Sequence, residues 1–195
     1  MAALNPVPQP IGIFEQYIAR QPETLVLKEK VISLSGDSFS IKLQNGTPLI
    51  QVEGKVMSIS GRKTVRDMAG THLFDIVKER LHLHATYAIK TPDNQKIMEV
   101  KSKFSFLGSK AYATFTSSNG KAEKLLMSGN WFDTRAEIVD EAQGNLVVGA
   151  IDRKLLSGKD ILFGQQTYAL QVAPGVDMAL MAALCICMDE KNNEK

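Results

Sequence analysis

An apolar stretch near the C-terminus, residues 176–188, constrains the fold of this chain most strongly. Its residues favour helix, Pro174 and Gly175 precede it, and Asp177 falls in its first turn, where a negative charge suits the helix dipole. A run of about 13 apolar residues is too short to span a bilayer, which takes about 20. A helix that is apolar on every face must be enclosed by protein. We therefore predict a buried helix whose core residues are Met178, Leu180, Met181, Leu184 and Ile186, and no transmembrane span.

The remainder of the chain, from about residue 24 to residue 173, carries the signals of β-strands separated by turns. Alternating apolar runs such as residues 49–52 and 97–100 are typical of strands with one buried face. Turn residues recur in steps of 24, 24, 26 and 24, at Gly46, Gly70, Asn94, Gly120 and Gly144. Each interval predicts two strands, and opening strands near 24–29 and 38–43 bring the total to about twelve. A sheet of that size must close or curl to protect its edges.

The predicted fold is therefore mainly β, a closed antiparallel barrel of about twelve strands wrapped around the hydrophobic C-terminal helix. In a chain otherwise made of strands, a barrel is the structure that can surround such a helix. A propeller or a solenoid is the alternative, which we favour less because the repeats share little sequence beyond the turn spacing.

Three segments of the chain form a recognisable series. The first is the Asp-x-x-Gly turn at residues 67–70, and the second is the hydrophobic–basic–Leu-x-Leu-His unit at residues 73–84. The third is the ending Tyr-Ala-Leu-Gln-Val-Ala-Pro-Gly-Val-Asp at residues 168–177, followed by the apolar helix. In this order the segments resemble the LURP-one-related family of the tubby-like superfamily, and the resemblance implies a tubby-like barrel domain over residues 22–190. Three prolines within residues 6–10 predict an extended N-terminal arm (1–21), and residues 191–195 are expected to form a disordered tail.

What the resemblance implies about function is a binding role. Tubby proteins bind phosphoinositides through basic residues on the barrel, and LURP-one-related proteins include members linked to defence responses. Phospholipid scramblases, which are similar in fold, carry a calcium-linked acidic segment. That segment has no evident counterpart in this sequence, so neither scrambling nor calcium dependence is implied.

The distribution of charge supplies the candidate binding residues. The net charge is only +2, but residues 41–130 hold 14 basic and 7 acidic side chains, a net +7. Basic residues recur nine or ten positions after the turn markers, where the first strand of each interval should end. If the intervals are equivalent, these corners gather at one rim and attract anionic headgroups; otherwise they are solvated strand ends. The lipid-binding candidates are Lys55, Arg62, Lys63, Arg66, Lys78, Arg80, Lys101, Lys103, Arg153 and Lys154.

Signatures of catalysis and of cofactor binding are absent from the sequence, so we expect neither enzymatic activity nor a cofactor. His82 and His84 are predicted to share an outward strand face, but a third ligand is not evident and no metal site is predicted. Cys185 and Cys187, two apart in a helix, lie on opposite sides of it and cannot form a disulfide. A pI of about 8.5, without aromatic residues among the basic ones, argues against nucleic acid.

The sequence thus predicts a cytoplasmic, monomeric, non-catalytic module that reaches the plasma membrane as a peripheral protein. Its expected partner is an anionic membrane lipid, a phosphoinositide in the first instance. The alternative partner is an unidentified protein, in which case the chain is an interaction module in stress or defence signalling with no lipid ligand.

Overall fold

Twelve strands and one long helix are present in the computed structural model, which describes residues 4–30, 38–54, 61–79, 82, 84–103, 109–130, 135–152 and 167–193. Short 3-10 helices occur at Glu15–Tyr17 and Glu141–Gln143. The strands and the helix are β1 (Glu23–Lys30), β2 (Ser38–Leu43), β3 (Pro48–Gly54), β4 (Lys63–Asp67), β5 (His72–Glu79), β6 (Thr86–Lys90), β7 (Lys96–Lys103), β8 (Ser109–Thr116), β9 (Ala122–Asn130), β10 (Arg135–Asp140), β11 (Leu146–Asp152), β12 (Thr167–Val172) and α1 (Met178–Asn193).

Each strand pairs antiparallel with its neighbours in sequence, and β12 pairs with β1 to close the barrel. Closure leaves no sheet edge exposed, which is how a sheet of twelve strands avoids edge-to-edge association. Because consecutive strands alternate in direction, β1, β3, β5, β7, β9 and β11 all finish at the same end, here named the corner end. The opposite end, named the turn end, carries the tight turns. The prediction of a closed twelve-stranded antiparallel barrel is confirmed.

The tight turns share one geometry, which explains their regular spacing in the sequence. The four turns at residues 43–47, 67–71, 91–95 and 117–121 each contain two backbone hydrogen bonds of 2.8–3.1 Å. In each turn the N–H of the first residue donates to the carbonyl of the fifth, and the N–H of the fourth donates to the carbonyl of the first. The fourth residue has positive φ in each turn: +91° at Gly46, +88° at Gly70, +69° at Asn94 and +83° at Gly120. Glycine adopts this conformation without strain and asparagine tolerates it best among the other residues. The turn markers read from the sequence are therefore left-handed positions of hairpin turns.

Helix α1 lies in the core, enclosed by the inward side chains of the strands. Every residue from Met178 to Met188 is 9% exposed or less, and inward residues such as Phe74, Ile89 and Met127 belong to the same cluster. Complete burial of one such large side chain contributes about 1.5–3 kcal/mol. Cys185 and Cys187 are unbridged and buried, and burial raises the pKa of both thiols, so both stay protonated.

None of the helices in the described ranges is long and apolar enough to cross a membrane. Helix α1 continues to Asn193, so it enters the segment 191–195 that was expected to be a tail.

Residues 4–21, expected to form an extended arm, run across the turn end and contact the residues that lead into α1. The N–H groups of Val7 and Ile11 donate to the carbonyls of Pro174 and Gly175, at 3.0 and 2.9 Å. The side chain of Ile11 is fully buried. The arm therefore covers the end of the barrel at which the helix begins.

Candidate functional site

Four of the basic residues selected from the sequence, namely Lys55, Arg80, Arg153 and Lys154, lie outside the described residues. The positions directly before them can be placed: Gly54, Glu79 and Asp152 are the last residues of β3, β5 and β11. These strands finish at the corner end, as does β7 with Lys103. The topology therefore brings the residues that precede the predicted corners to one end of the barrel.

Lys63 belongs to the interior of the barrel and not to its surface. It is 4% exposed, and its Nζ atom lies 2.9 Å from Oε1 of Glu190 and 5.4 Å from the ring centre of Phe39. It alternates with Val65 on the inward face of β4. Its ammonium group neutralises a carboxylate in the last turns of α1, so we exclude it from the binding surface. Lys78 is half-buried and follows Ile76 on the inward side of β5 by the same alternation.

Arg62 and Arg66 lie on the surface, but each is paired. Nη1 of Arg62 lies 2.9 Å from Oδ2 of Asp75, a carboxylate that is only 1% exposed. That carboxylate also accepts a 2.7 Å hydrogen bond from the hydroxyl of Thr64, and Nε2 of His72 lies 3.2 Å away. Nε of Arg66 lies 3.6 Å from a carboxylate oxygen of Glu53. Arg62 thus compensates a buried charge, which is a structural role.

Lys101 and Lys103 lie on the outer face of β7, where they meet three residues that the sequence analysis did not select. In the strand register Lys101 is opposite Tyr112 and Lys103 is opposite Lys110, both on β8. Lys124 on β9 stands opposite Thr114, one step along from Tyr112 on the same face. We name this group the lysine cluster, and it consists of Lys101, Lys103, Lys110 and Lys124 around Tyr112.

Tyr112 holds two of the ammonium groups over its ring. Nζ of Lys124 lies 4.4 Å from the ring centre and Nζ of Lys103 lies 5.5 Å from it. Cation–π contacts of this kind contribute about 0.5–1 kcal/mol each at exposed sites. They direct both ammonium groups toward the centre of the cluster. Lys103 and Lys110 stand directly opposite each other on the paired strands β7 and β8, which brings a further basic side chain to the edge of the cluster.

An open groove of about 410 Å³ lies beside Tyr112, lined by His84, Glu99, Lys101, Ser102, Lys103, Tyr112 and Thr114. A second groove of about 580 Å³ shares Glu99 and Thr114 with it and continues toward Lys124 and Lys96. Glu99 is the one acidic residue in the lining of the first groove, and its carboxylate lies 3.2 Å from Nζ of Lys96. No ion pair connects Lys101, Lys103 or Lys124 to a carboxylate among the residues described. The groove is therefore electropositive.

A network of ion pairs beside the groove engages the carboxylate of Glu79. Nζ of Lys96 lies 2.9 Å from the carboxylate of Glu79, and Nε2 of His82 lies 3.2 Å from the same group. Burial raises the pKa of Glu79, but the Lys96 ammonium and His82 outweigh that effect and the net shift is downward. The hydrogen bond that Lys96 donates to the Glu79 carboxylate raises the pKa of Lys96. Glu79 is thus ionised at neutral pH, and its carboxylate is already in contact with Lys96 and His82.

His82 and His84 were predicted to lie within one strand, which is wrong because β6 begins only at Thr86. His82 contacts Glu79, whereas His84 lines the groove. Within the ranges that the structure describes, no group of three or more His, Cys, Asp and Glu side chains is arranged to hold a metal ion.

The sequence does contain a signal for the residues that were missed. In the run Lys-Ala-Tyr-Ala-Thr-Phe-Thr at residues 110–116, the odd positions are apolar and lie inside the barrel. The period of two therefore places Lys110, Tyr112 and Thr114 together on the outer face. Tyr112 and Lys124 lie within strands, so they do not follow the pattern of basic residues at strand ends.

Comparison with known proteins gives consistent matches over the barrel. A sequence model of the LURP-one-related family matches residues 23–189. Protein LURP-one-related 15 of Arabidopsis thaliana is 23% identical over 197 residues, covering 97% of this chain and 90% of that protein. Protein LURP-one-related 10 of the same plant is 23% identical over 185 residues, covering 91% and 94%. The X-ray structure of an Arabidopsis thaliana protein matches with a TM-score of 0.59 at 16% identity, covering 94% of this chain and 99% of the other. At that identity the structural match shows the fold alone.

Proposed function

This chain belongs to the LURP-one-related family, and we propose that it is a non-catalytic module that binds anionic phospholipid headgroups through the lysine cluster. The observation that carries the proposal is the convergence of Lys103 and Lys124 on the ring of Tyr112, with Lys101 opposite it in the strand register, beside an electropositive groove. Binding would hold the protein at a membrane surface as a peripheral adaptor. The family is not one of known enzymes, which agrees with a binding role.

The charge of the cluster is sufficient for measurable membrane attachment. Lysine side chains near an anionic bilayer contribute about 1 kcal/mol each, so Lys101, Lys103 and Lys124 together supply about 3 kcal/mol. That free energy corresponds to an increase of roughly 100-fold in the binding constant. The attraction is screened by salt within a Debye length of about 8 Å at physiological ionic strength. Binding should therefore weaken as salt is added.

A phosphoinositide suits the cluster better than a singly charged lipid, because its phosphates can engage several ammonium groups at once. One phosphate would bind Lys103 beside Tyr112. A second would bind Lys124 or Lys101 on either side of Tyr112. Lys55, Arg80, Arg153 and Lys154, which lie outside the described residues, remain candidates within the same proposal.

The test is co-sedimentation with phosphatidylcholine vesicles, with and without a phosphatidylinositol bisphosphate. The variant Lys101→Glu/Lys103→Glu reverses two charges of the cluster on β7. Its matched control, Lys28→Glu/Lys42→Glu, reverses two on β1 and β2, which are six and five strands away from β7 around the barrel. We expect the cluster variant to lose at least about tenfold in binding to the bisphosphate vesicles and the control to bind as the wild type does.

Equal binding by all three proteins would contradict the proposal. Equal losses in the two variants would mean that net charge, and not the cluster, attracts the protein. The interaction-module alternative is favoured by a different pair of results. In that case the wild type does not bind the vesicles, and the wild type and the cluster variant capture the same protein partner equally.

A further inference from the structure

We infer that Tyr112 determines the specificity of the lysine cluster and that its groove accepts headgroups that carry a sugar-like ring. This inference rests on the proposed function, since it names the class of headgroup that the same site binds.

Tyr112 occupies the centre of the cluster. Lys101 stands directly opposite it on β7 and Leu126 directly opposite on β9. Both Tyr112 and Leu126 are half-buried on the outer face, so the two side chains form an apolar strip across β8 and β9. Attraction of a phosphate requires positive charge, but it does not require an aromatic ring with an apolar neighbour. Lysines alone would suffice for charge.

The size of the groove also exceeds the needs of a phosphate. Its volume of about 410 Å³ falls within the range of about 300–1,000 Å³ that is usual for sites of whole small molecules. The wall beside the ring contains the hydroxyl group of Thr114, which can donate and accept hydrogen bonds. A polyhydroxylated ring matches this lining, because its hydroxyls bond to the wall and its C–H groups pack on the aromatic face.

The ring of Tyr112 becomes accessible when an anion binds. The two ammonium groups over it are held by cation–π contacts, whereas hydrogen bonds between ammonium and phosphate are charge-assisted and stronger. A phosphate would therefore draw both lysines off the ring. The phenolic hydroxyl of Tyr112 makes no hydrogen bond to another residue in the described part of the chain, and it is available to a hydroxyl of the ligand.

Phosphatidylinositol and phosphatidylglycerol separate ring recognition from charge, because both are phosphodiesters with one negative charge and only the first has a ring. Vesicles containing either lipid at the same mole fraction would be titrated with the wild type, Tyr112→Leu and Tyr112→Phe. We expect the wild type to bind the phosphatidylinositol vesicles at least threefold more tightly. Tyr112→Leu should lose that preference while keeping its affinity for phosphatidylglycerol, and Tyr112→Phe should retain most of it.

The retained affinity of Tyr112→Leu for phosphatidylglycerol serves as the control for folding. Equal affinity of the wild type for the two lipids would overturn the inference, as would a preference that survives in Tyr112→Leu. If the wild type binds bisphosphate vesicles but does not distinguish the two singly charged lipids, the proposed function stands and only the role of Tyr112 fails. If it binds none of the vesicles, both fail.

Discussion

The backbone N–H of Phe14 donates a 2.8 Å hydrogen bond to Oδ2 of Asp177, which lies 163 residues further along the chain. The same oxygen accepts from Ile13 at 3.1 Å, while Oδ1 accepts from Ala179 and Leu180 at 2.9 and 3.1 Å. One buried carboxylate thus caps α1 and fastens the N-terminal arm across the turn end. Burial of the helix and closure of the barrel end are coupled through this residue.

Replacing Asp177 should separate these two roles. Asparagine keeps an oxygen that can cap α1, but its amide NH2 must then face the N–H donors of Ile13 and Phe14. Alanine leaves all four donors without a side-chain partner, at about 1–3 kcal/mol for each buried group that water cannot reach. We expect Asp177→Ala to lower the free energy of unfolding by at least about 3 kcal/mol and Asp177→Asn by less. Urea denaturation measures both; an Asn variant as stable as the wild type would show that the arm is not held by this contact.

The ionisation of Asp177 should make stability depend on pH. Burial raises its pKa from 3.8 to about 6, and the backbone N–H groups of Phe14, Leu180, Ile13 and Ala179 oppose that rise. Between those two values the unfolded chain loses the proton first, so the folded state binds more protons and stability falls as pH rises. Below about 3.8 and above about 6 the contribution is constant.

The difference in unfolding free energy between the wild type and Asp177→Asn isolates this effect from the other carboxylates. It should decrease from pH 4 to pH 6, by at most about 3 kcal/mol, and level off at higher pH. Parallel curves for the two proteins, or a difference that grows with pH, would contradict the assignment.

Lys63 provides a test of the separation between interior and surface lysines. Lys63→Met removes the partner of Glu190 at the end of α1, and loss of one member of a buried pair costs about 3–5 kcal/mol when the other stays charged. Glu190 is partly exposed, so we expect a smaller loss of about 1–3 kcal/mol, measured by thermal unfolding. Binding to bisphosphate vesicles, measured below the unfolding transition, should match that of the wild type. A weakened interaction with vesicles would return Lys63 to the binding surface.

Leu180→Asp or Leu184→Asp should abolish folding, because each places an unpaired charge in a fully buried position. Leu126→Asp is the matched control, since Leu126 lies on the outer face beside Lys124 and its carboxylate would remain hydrated. Circular dichroism and denaturant titration of the three variants distinguish them. Cooperative unfolding of a soluble Leu180→Asp protein would contradict the central position of α1.

The fold could be predicted because its signals are local and repeated. The left-handed positions of the hairpin turns select glycine or asparagine wherever they occur, so the turns can be located from composition and spacing. The position of the helix could be predicted because a helix that is apolar on every side must be enclosed, and a chain of strands can enclose it only as a barrel.

The site could be predicted only in part, since it depends on register. Lys63 and Lys101 look alike in sequence, but strand alternation places the first inside the barrel and the second outside. Lys103, Lys110 and Lys124 come together because β7, β8 and β9 pair as they do, which no local motif reveals. Asp177 appears in the sequence only as a first-turn acid, and its bonds to residues 13 and 14 follow from closure of the barrel.

Mapping the binding surface directly is the most decisive measurement. Amide chemical shifts of the isotope-labelled protein would be followed while a short-chain, soluble phosphatidylinositol bisphosphate is added. If the lysine cluster is the binding surface, saturable shifts concentrate at residues 101–103, 110–114 and 124 and are lost in Lys101→Glu/Lys103→Glu. Shifts centred on β1 and β2, or no saturable shifts in β7–β9, would contradict it.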